Sequence, residues 1–213
     1  MVRYGIIGCG VIGRYHAEAV VDSPRTQLAA VTDVDRERAE SFAREFGTSA
    51  AASVEAMLED PEIDVVGVCT ASGHHAPLVL QALEHGKHVL VEKPPAITAS
   101  DLDRIERAAA DAGKLVSVVF QNRFRPAYYE VKRAIEAGKL GTPISADVQM
   151  KWYRSDEYFR NAGWRGTWAM DGGGALMNQA IHSIDLMIWF MGPVRTVFAY
   201  TDTRTHSIET EDV

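Results

Sequence analysis

Along the first 120 residues, short apolar runs alternate with stretches in which apolar residues recur at helical spacing. The runs predict strands over residues 3–7, 28–33, 64–70, 88–91 and 115–120. The helical stretches predict helices over 11–21, 36–46, 54–58, 76–85 and 100–112. Strands separated by helices build βαβ units, whose parallel sheet must be covered on both faces. Helix punctuation agrees. Ser100 with Asp103 reads as a capping box for the helix that stops at Gly113, and Gly86 stands where a helix-ending glycine belongs.

After Phe120 the rhythm changes. A helix over 126–137 opens on Pro126 and closes at Gly138. Strands are expected near 144–153 and 194–203, with a Gly/Trp-rich loop over 154–174 and a long helix over 175–191 between them. Longer strands with fewer helices predict an α+β domain with an open mixed or antiparallel sheet. The boundary falls near Gln121. Residues 1–121 are expected to form a doubly wound parallel α/β domain, and residues 122–213 a second, incomplete one that breaks off as another element begins.

Composition narrows the function classes. Of the 213 residues 46% are hydrophobic and 24% charged, the balance of a folded globular chain. A net charge of −7 argues against a nucleic-acid backbone or an anionic membrane as partner, and the one dense basic run, Arg123-Phe124-Arg125, is too short for a patch. The richest apolar stretch, 181–191, is broken by His182, Ser183 and Asp185. It falls short of the ~20 residues a membrane span needs. Cys9 and Cys69 have neither disulfide-framework nor metal spacing, so they read as reduced thiols of a cytoplasmic protein without a metal site.

Gly8-Cys9-Gly10-Val11-Ile12-Gly13 follows the first strand and opens a helix. In such a turn the first glycine permits the bend, the second lets backbone approach a pyrophosphate, and the third lets helix and strand pack closely. The helix N-terminus adds partial positive charge at Val11 and Ile12. Asp33 lies twenty residues beyond Gly13, at the end of the second strand. A carboxylate there can accept both ribose hydroxyls and repels a 2′-phosphate, which favours NAD. Arg36 and Arg38 leave NADP open, and an ordinary turn aspartate is the competing reading of Asp33. The next strand ends in Thr70-Ala71-Ser72-Gly73-His74-His75, which should border the cofactor beyond the strand ends. Thr70, Ser72 and His75 are candidate contacts; adjacent histidines without a third ligand are a poor metal site.

The fourth βα unit ends in Glu92-Lys93-Pro94. A lysine beside a nicotinamide can hydrogen-bond a substrate hydroxyl, although a lysine in a polar turn by itself reads as solvated. On the long helix Asn178, His182 and Asp185 follow i, i+4, i+7 spacing and share one face. They line a cleft, or they form a buried network in which His182 bonds Asp185. The triple glycine at 172–174 favours the cleft.

Gly8–Gly13 with Arg14-Tyr15-His16, then Gly86-Lys87-His88-Val89-Leu90-Val91-Glu92-Lys93-Pro94, then Gly172 to His182 with Asp185 resemble the Gfo/Idh/MocA oxidoreductases across the whole chain. The resemblance implies a Rossmann domain and a C-terminal α/β domain. The open sheet of the latter floors the substrate site and often joins subunits, so a homo-oligomer is expected of the full-length form. It makes Lys93 the catalytic-site lysine and His182 the proton-transferring histidine, and places Glu92 and Lys93 beside the cofactor. Asn178 stands where many members have aspartate. An amide is no base, so Asn178 would orient substrate or His182, leaving the proton to His182 or Lys93. The segment Trp164-Arg165-Gly166-Thr167-Trp168 with Met177-Asn178-Gln179 is similar to the branch acting on nucleotide-linked amino sugars, in which Trp164 and Arg165 approach the nicotinamide end. Packing of the loop by Trp164 and Trp168 is the equal alternative. Arg123, beside Gln121 and Asn122, faces substrate oxygens or supports the junction, and Asp185 joins the substrate set.

The expectation is thus an NAD-dependent dehydrogenase acting on a CH–OH group of a sugar, sugar nucleotide or polyol. The competing expectation is a non-enzymatic dinucleotide-binding or redox-sensing module.

Overall fold

The computed structural model describes residues 1–213, which divide into two units, Met1–Val119 and Phe120–Val213. In the first, six parallel strands stand in the order β3-β2-β1-β4-β5-β6. They are β1 (Val2–Ile7), β2 (Thr26–Thr32), β3 (Ser49–Ala50), β4 (Val65–Val68), β5 (His88–Val91) and β6 (Val116–Val118). The chain builds outward from β1 on one side and then from β4 on the other, so the strand order reverses between these neighbours. Helices α1 (Val11–Asp22), α2 (Arg36–Phe46), α3 (Val54–Glu59), α4 (His75–Glu84) and α5 (Ala99–Ala112) connect the strands.

Alternate strand side chains enter two apolar layers. Ile6, Tyr4 and Val31 join Ala17, Val20 and Phe42 on one face; Ile7, Val66 and Val68 join Met57, Leu58, Val79 and Leu83 on the other. Register then sets the geometry of the site. Ile7 lies opposite both Thr32 and Val68, Val68 opposite Val91, and Val91 opposite Val118. The carboxyl ends of five strands are therefore level, and the loops carrying Gly8, Asp33, Thr70 and Lys93 all open along that one edge.

Three local expectations change. Strand β3 was missed because two residues make no apolar run; it is held by pairing with Ala30 and Val31. Helix α5 is capped by Thr98, whose Oγ1 accepts from Asp101 N at 3.1 Å while it donates to Asp101 Oδ2 at 2.8 Å. The cap stands two residues earlier than Ser100, and Thr98-x-x-Asp101 has the same spacing as the expected Ser100-x-x-Asp103. Strands β4 and β6 are shorter than their apolar runs.

The second unit contains a 3₁₀ turn (Gln121–Phe124), α6 (Pro126–Glu136), α7 (Asp156–Arg160), a π-helical turn (Ala175–Ala180) and α8 (Ile181–Met191). The strands expected near 144–153 and 194–203, and the mixed sheet they would build, are not formed by these residues. A strand needs a ladder, and no backbone–backbone hydrogen bond joins residues 144–153 or 194–201 to a neighbour. Ile144, Tyr153, Phe198 and Tyr200 are left exposed.

The last twelve residues are tied back by polar contacts. Asp212 accepts from the backbone N–H groups of Arg204, Thr205 and His206, from Thr205 Oγ1 and from His206 Nδ1, at 2.6–2.9 Å. Burial alone would raise the Asp212 carboxyl, but these donors hold it well below the usual carboxylate range. Burial alone would lower His206; the Arg154 carbonyl and Asp212 outweigh it and raise the imidazole. Ala175 N donates to the Glu211 carbonyl at 2.8 Å and Leu176 N to the Glu211 carboxylate at 3.0 Å, so this segment caps the glycine-led helix start.

Candidate functional site

The glycine turn is required by backbone sterics. Gly8 has φ +104°, and a Cβ there would lie 2.7 Å from the Cys69 carbonyl oxygen; a Cβ on Gly13 would strike the Gly8 carbonyl at 2.0 Å. Gly10 differs, because a Cβ there would meet nothing within 4 Å. Gly10 begins α1 without a side-chain cap, and Val11 and Ile12 are exposed at 72% and 42%. Helix N–H groups with no protein acceptor, beside open space, fit an anionic pyrophosphate.

Asp33 closes the cradle. Its Oδ2 accepts from Cys9 N at 2.8 Å, and its Oδ1 from Asp35 N at 2.9 Å and Arg38 Nη1 at 3.3 Å. It thereby locks the glycine loop to the end of β2 while keeping lone-pair capacity for hydroxyl donors. Arg36 is drawn aside to Glu40. Burial, with Asp33 adding to it, pushes the Cys9 thiol up to about 12, and burial raises Cys69 as well. Neither thiol has the thiolate character a redox sensor needs.

His75, expected beside the cofactor, lies inside the unit. It is 1% exposed, and its Nδ1 and Nε2 lie 2.6 Å from the Pro94 carbonyl and 3.0 Å from the Thr70 carbonyl. Burial lowers its pKa against the pull of these oxygens. It clamps the loops after β4 and β5 together from inside. Ser72 is also buried, whereas Thr70 is half-buried at the loop. Glu92 accepts from, or is paired with, His16 Nε2 of α1 at 2.9 Å. That pair fixes the turn bearing the half-buried Lys93. His16 was missed as a site residue because its partner lies 76 residues away.

In the second unit the expected Asn178, His182, Asp185 face is rearranged. Asn178 sits in the π-helical turn and the other two in α8. A π turn takes more residues per revolution than an α turn, so α-helical spacing misplaces Asn178. Its Nδ2 donates to Asp171 at 2.8 and 3.1 Å, and Asp171, 1% exposed, also accepts from Gly166 N at 2.9 Å. Asp185 is buried and holds Arg123 bidentately, at 2.8 Å from Nε and 2.5 Å from Nη2. The His182–Asp185 bond weighed from the spacing is replaced by this ion pair. Arg123 also lies over Phe120 and Trp189, and the His182 ring stands edge-on to Phe120 at 6.4 Å. Arg123 and Asp185 are thus spent on each other.

Trp164 and Arg165 are both half-buried. The Arg165 guanidinium lies 4.0 Å from the Tyr158 ring centroid and 5.5 Å from that of Trp164. Gln179 joins this cluster to the helix, donating to Tyr158 Oη at 3.2 Å and accepting from Arg154 Nη2 at 2.9 Å. Sequence reading misses Asp171, Arg154 and Tyr158, and gives Gln179 no role of its own. Each gains meaning only through a partner that no periodicity announces.

Residues 2–120 match the family model described as "Oxidoreductase family, NAD-binding Rossmann fold", and residues 128–213 match the "GFO/IDH/MocA C-terminal domain". The scyllo-inositol 2-dehydrogenase (NAD(+)) of Bacillus subtilis is 33% identical over 193 residues, covering 90% of this chain and 54% of that protein. The solved WlbA dehydrogenase of Bordetella pertussis, in complex with NADH and UDP-GlcNAcA, is 37% identical with a TM-score of 0.94, covering 99% of this chain and 61% of that one. The WlbA enzyme of Chromobacterium violaceum, with the same ligands, is 39% identical with a TM-score of 0.94, over 99% and 61% of the two chains. The chain spans about half the length of the curated relatives it matches. No helix is long and apolar enough to cross a membrane.

Proposed function

The chain belongs to the Gfo/Idh/MocA oxidoreductase family, and on that premise we propose that it moves a hydride between NAD and a hydroxyl-bearing carbon of a sugar, sugar nucleotide or polyol. One observation supports this reading most: the uncapped glycine turn, Asp33 and the Lys93 turn open along one level sheet edge. The N–H groups of Val11 and Ile12 would hold the pyrophosphate and Asp33 the adenosine ribose. NAD, when bound, supplies the hydride acceptor.

The remaining work falls to side chains. Lys93 donates to the reacting oxygen and favours its deprotonation. His182 accepts the hydroxyl proton on oxidation and returns it on reduction. Asn178, pinned through its Nδ2 by Asp171, acts by orienting and carries no proton. Glu92 with His16 steadies Lys93, and the Arg123–Asp185 pair anchors α8, which carries His182. The relatives named for inositol dehydrogenation and for a UDP-sugar complex bracket the substrate class. Association between copies would use the open backbone and exposed apolar side chains near 144–153 and 194–203. A cytoplasmic setting suits both the dinucleotide and two unpaired buried thiols.

The test follows NADH formation by the full-length chain over a panel of polyols, sugars and sugar nucleotides, with NAD affinity measured in parallel. Tight NAD binding with turnover supports the proposal. Tight binding with no turnover on any of them would assign a dinucleotide-binding module instead.

A further inference from the structure

The second unit has three half-buried arginines, Arg123, Arg154 and Arg165. Arg123 holds a carboxylate at 2.5 Å. Arg154 and Arg165 hold none, although both crowd one aromatic ring. Their guanidinium carbons lie 4.7 Å and 4.0 Å from the Tyr158 centroid, and Arg154 also lies 4.9 Å from the Trp152 ring.

Each spends little of its donor capacity. A guanidinium carries five N–H groups in a planar fork. Arg154 gives one to Gln179 at 2.9 Å, and its Nε is buried with no acceptor. Arg165 gives one to the Tyr158 carbonyl at 3.1 Å. Of the acids around them, Asp171 is engaged with Asn178 and Gly166, Glu157 with Asn161 and Asp212 with residues 204–206, and Asp156 forms no salt bridge with either arginine. Stacking on aromatic faces leaves the edges of the fork open, the geometry that grips a carboxylate or phosphate with two bonds. A loop brace needs no second cation at the same ring, where like charges repel. An arriving anion makes both favourable. The cluster also adjoins the reacting helix, because Gln179 follows Asn178 and precedes His182 by three residues.

We propose that Arg154 and Arg165, stacked on Tyr158, recognise an oxyanion of the substrate, so that this chain selects acidic sugars over neutral polyols. The proposal rests on the oxidoreductase reading above and names its substrate class. The carboxylate of a uronic acid and the phosphate of a sugar nucleotide share the required chemistry.

The experiment uses the full-length chain with NAD and four ligands. Myo-inositol is neutral, glucuronate offers a carboxylate, UDP-glucose offers phosphates, and UDP-glucuronate offers both. Affinity is measured by calorimetric titration and turnover by NADH formation, each for wild type, Arg154→Met, Arg165→Met and Arg165→Lys. Wild type should bind at least one acidic ligand more tightly than myo-inositol, and preference between glucuronate and UDP-glucose identifies the oxyanion. Each Met variant should weaken that ligand about 10–100-fold, the worth of a lost charge-assisted bond. Affinity for myo-inositol should hardly move, and Arg165→Lys should recover part of the loss.

Inorganic phosphate competing against the preferred ligand checks wild type alone, should a variant fold poorly. The proposal is overturned if wild type binds myo-inositol as well as the acids, or if the Met variants weaken neutral and acidic ligands equally. Acid-selective binding without any NADH formation would sink the oxidoreductase reading and leave the anion site standing.

Discussion

The first unit buries two apolar layers against a six-stranded sheet. The second places Asp171, Asp185, Thr210 and Glu211 in its interior, and Leu186 is its one apolar side chain covered to the same degree. The two therefore fail differently. An apolar layer loses transfer energy and gains a cavity when trimmed, and neighbouring contacts survive. A buried ion pair that loses one member leaves an uncompensated charge.

Ile6→Ala should cost about 2–5 kcal/mol, and that loss should fall on the first unit. Arg123→Ala strands Asp185, whose side chain is 7% exposed against 39% for Arg123. Because solvent reaches the pair from the arginine side, we expect a loss of about 2–3 kcal/mol confined to the second unit. Hydrogen exchange of α8 against β1 reads it, and equal loss in both would contradict the contrast. Urea unfolding followed by amide exchange distinguishes the two variants.

Acidity should separate the units by sign. The buried His75 has a folded pKa below 6.5, so the unfolded chain binds the proton more readily and first-unit stability falls as pH drops below 6.5. His206 has a folded pKa raised above 6.5. Its contribution is complete below that value and is lost as pH rises through the folded one. Protection factors, with the intrinsic pH dependence of exchange divided out, should thus move oppositely in α4 and in residues 202–213 from pH 5 to pH 8, about the span of the imidazole response. His75→Gln and His206→Gln should each flatten one trend and leave the other. The smallest effect is Thr98→Ala, which removes the α5 cap at a cost of about 1 kcal/mol and leaves the second unit untouched.

The same contrast governs what the sequence reveals. In the first unit, β1, β2, β4, β5 and their helices follow from periodicity, because a strand buried on both faces writes its burial into consecutive apolar residues. The glycine turn is legible for a similar reason: Gly8 and Gly13 are demanded by contacts within the same unit of chain. Strand β3 is not legible, since two residues carry no period. In the second unit Asn178 stands out as polar among apolar neighbours, yet α-helical spacing gives it the wrong phase because a π turn leaves no composition signal. Asp171, His16 and Arg154 act through partners 7 to 76 residues distant. Distances of that kind belong to the folded chain alone. The strands expected near 144–153 and 194–203 show the opposite error, in which an apolar pattern is present but no ladder partner is.

Hydride transfer, with Lys93 and His182 as its proposed acid–base groups, is the central proposal. The most direct measurement gives the full-length chain NAD and a substrate deuterated at the reacting carbinol carbon, and follows label into the nicotinamide. Wild type should transfer the label. Lys93→Ala and His182→Ala should each slow transfer about 10²–10⁴-fold, the usual worth of a placed acid or base, with NAD affinity kept. Label that never leaves the substrate while NAD is bound, or transfer unchanged in both variants, would contradict it.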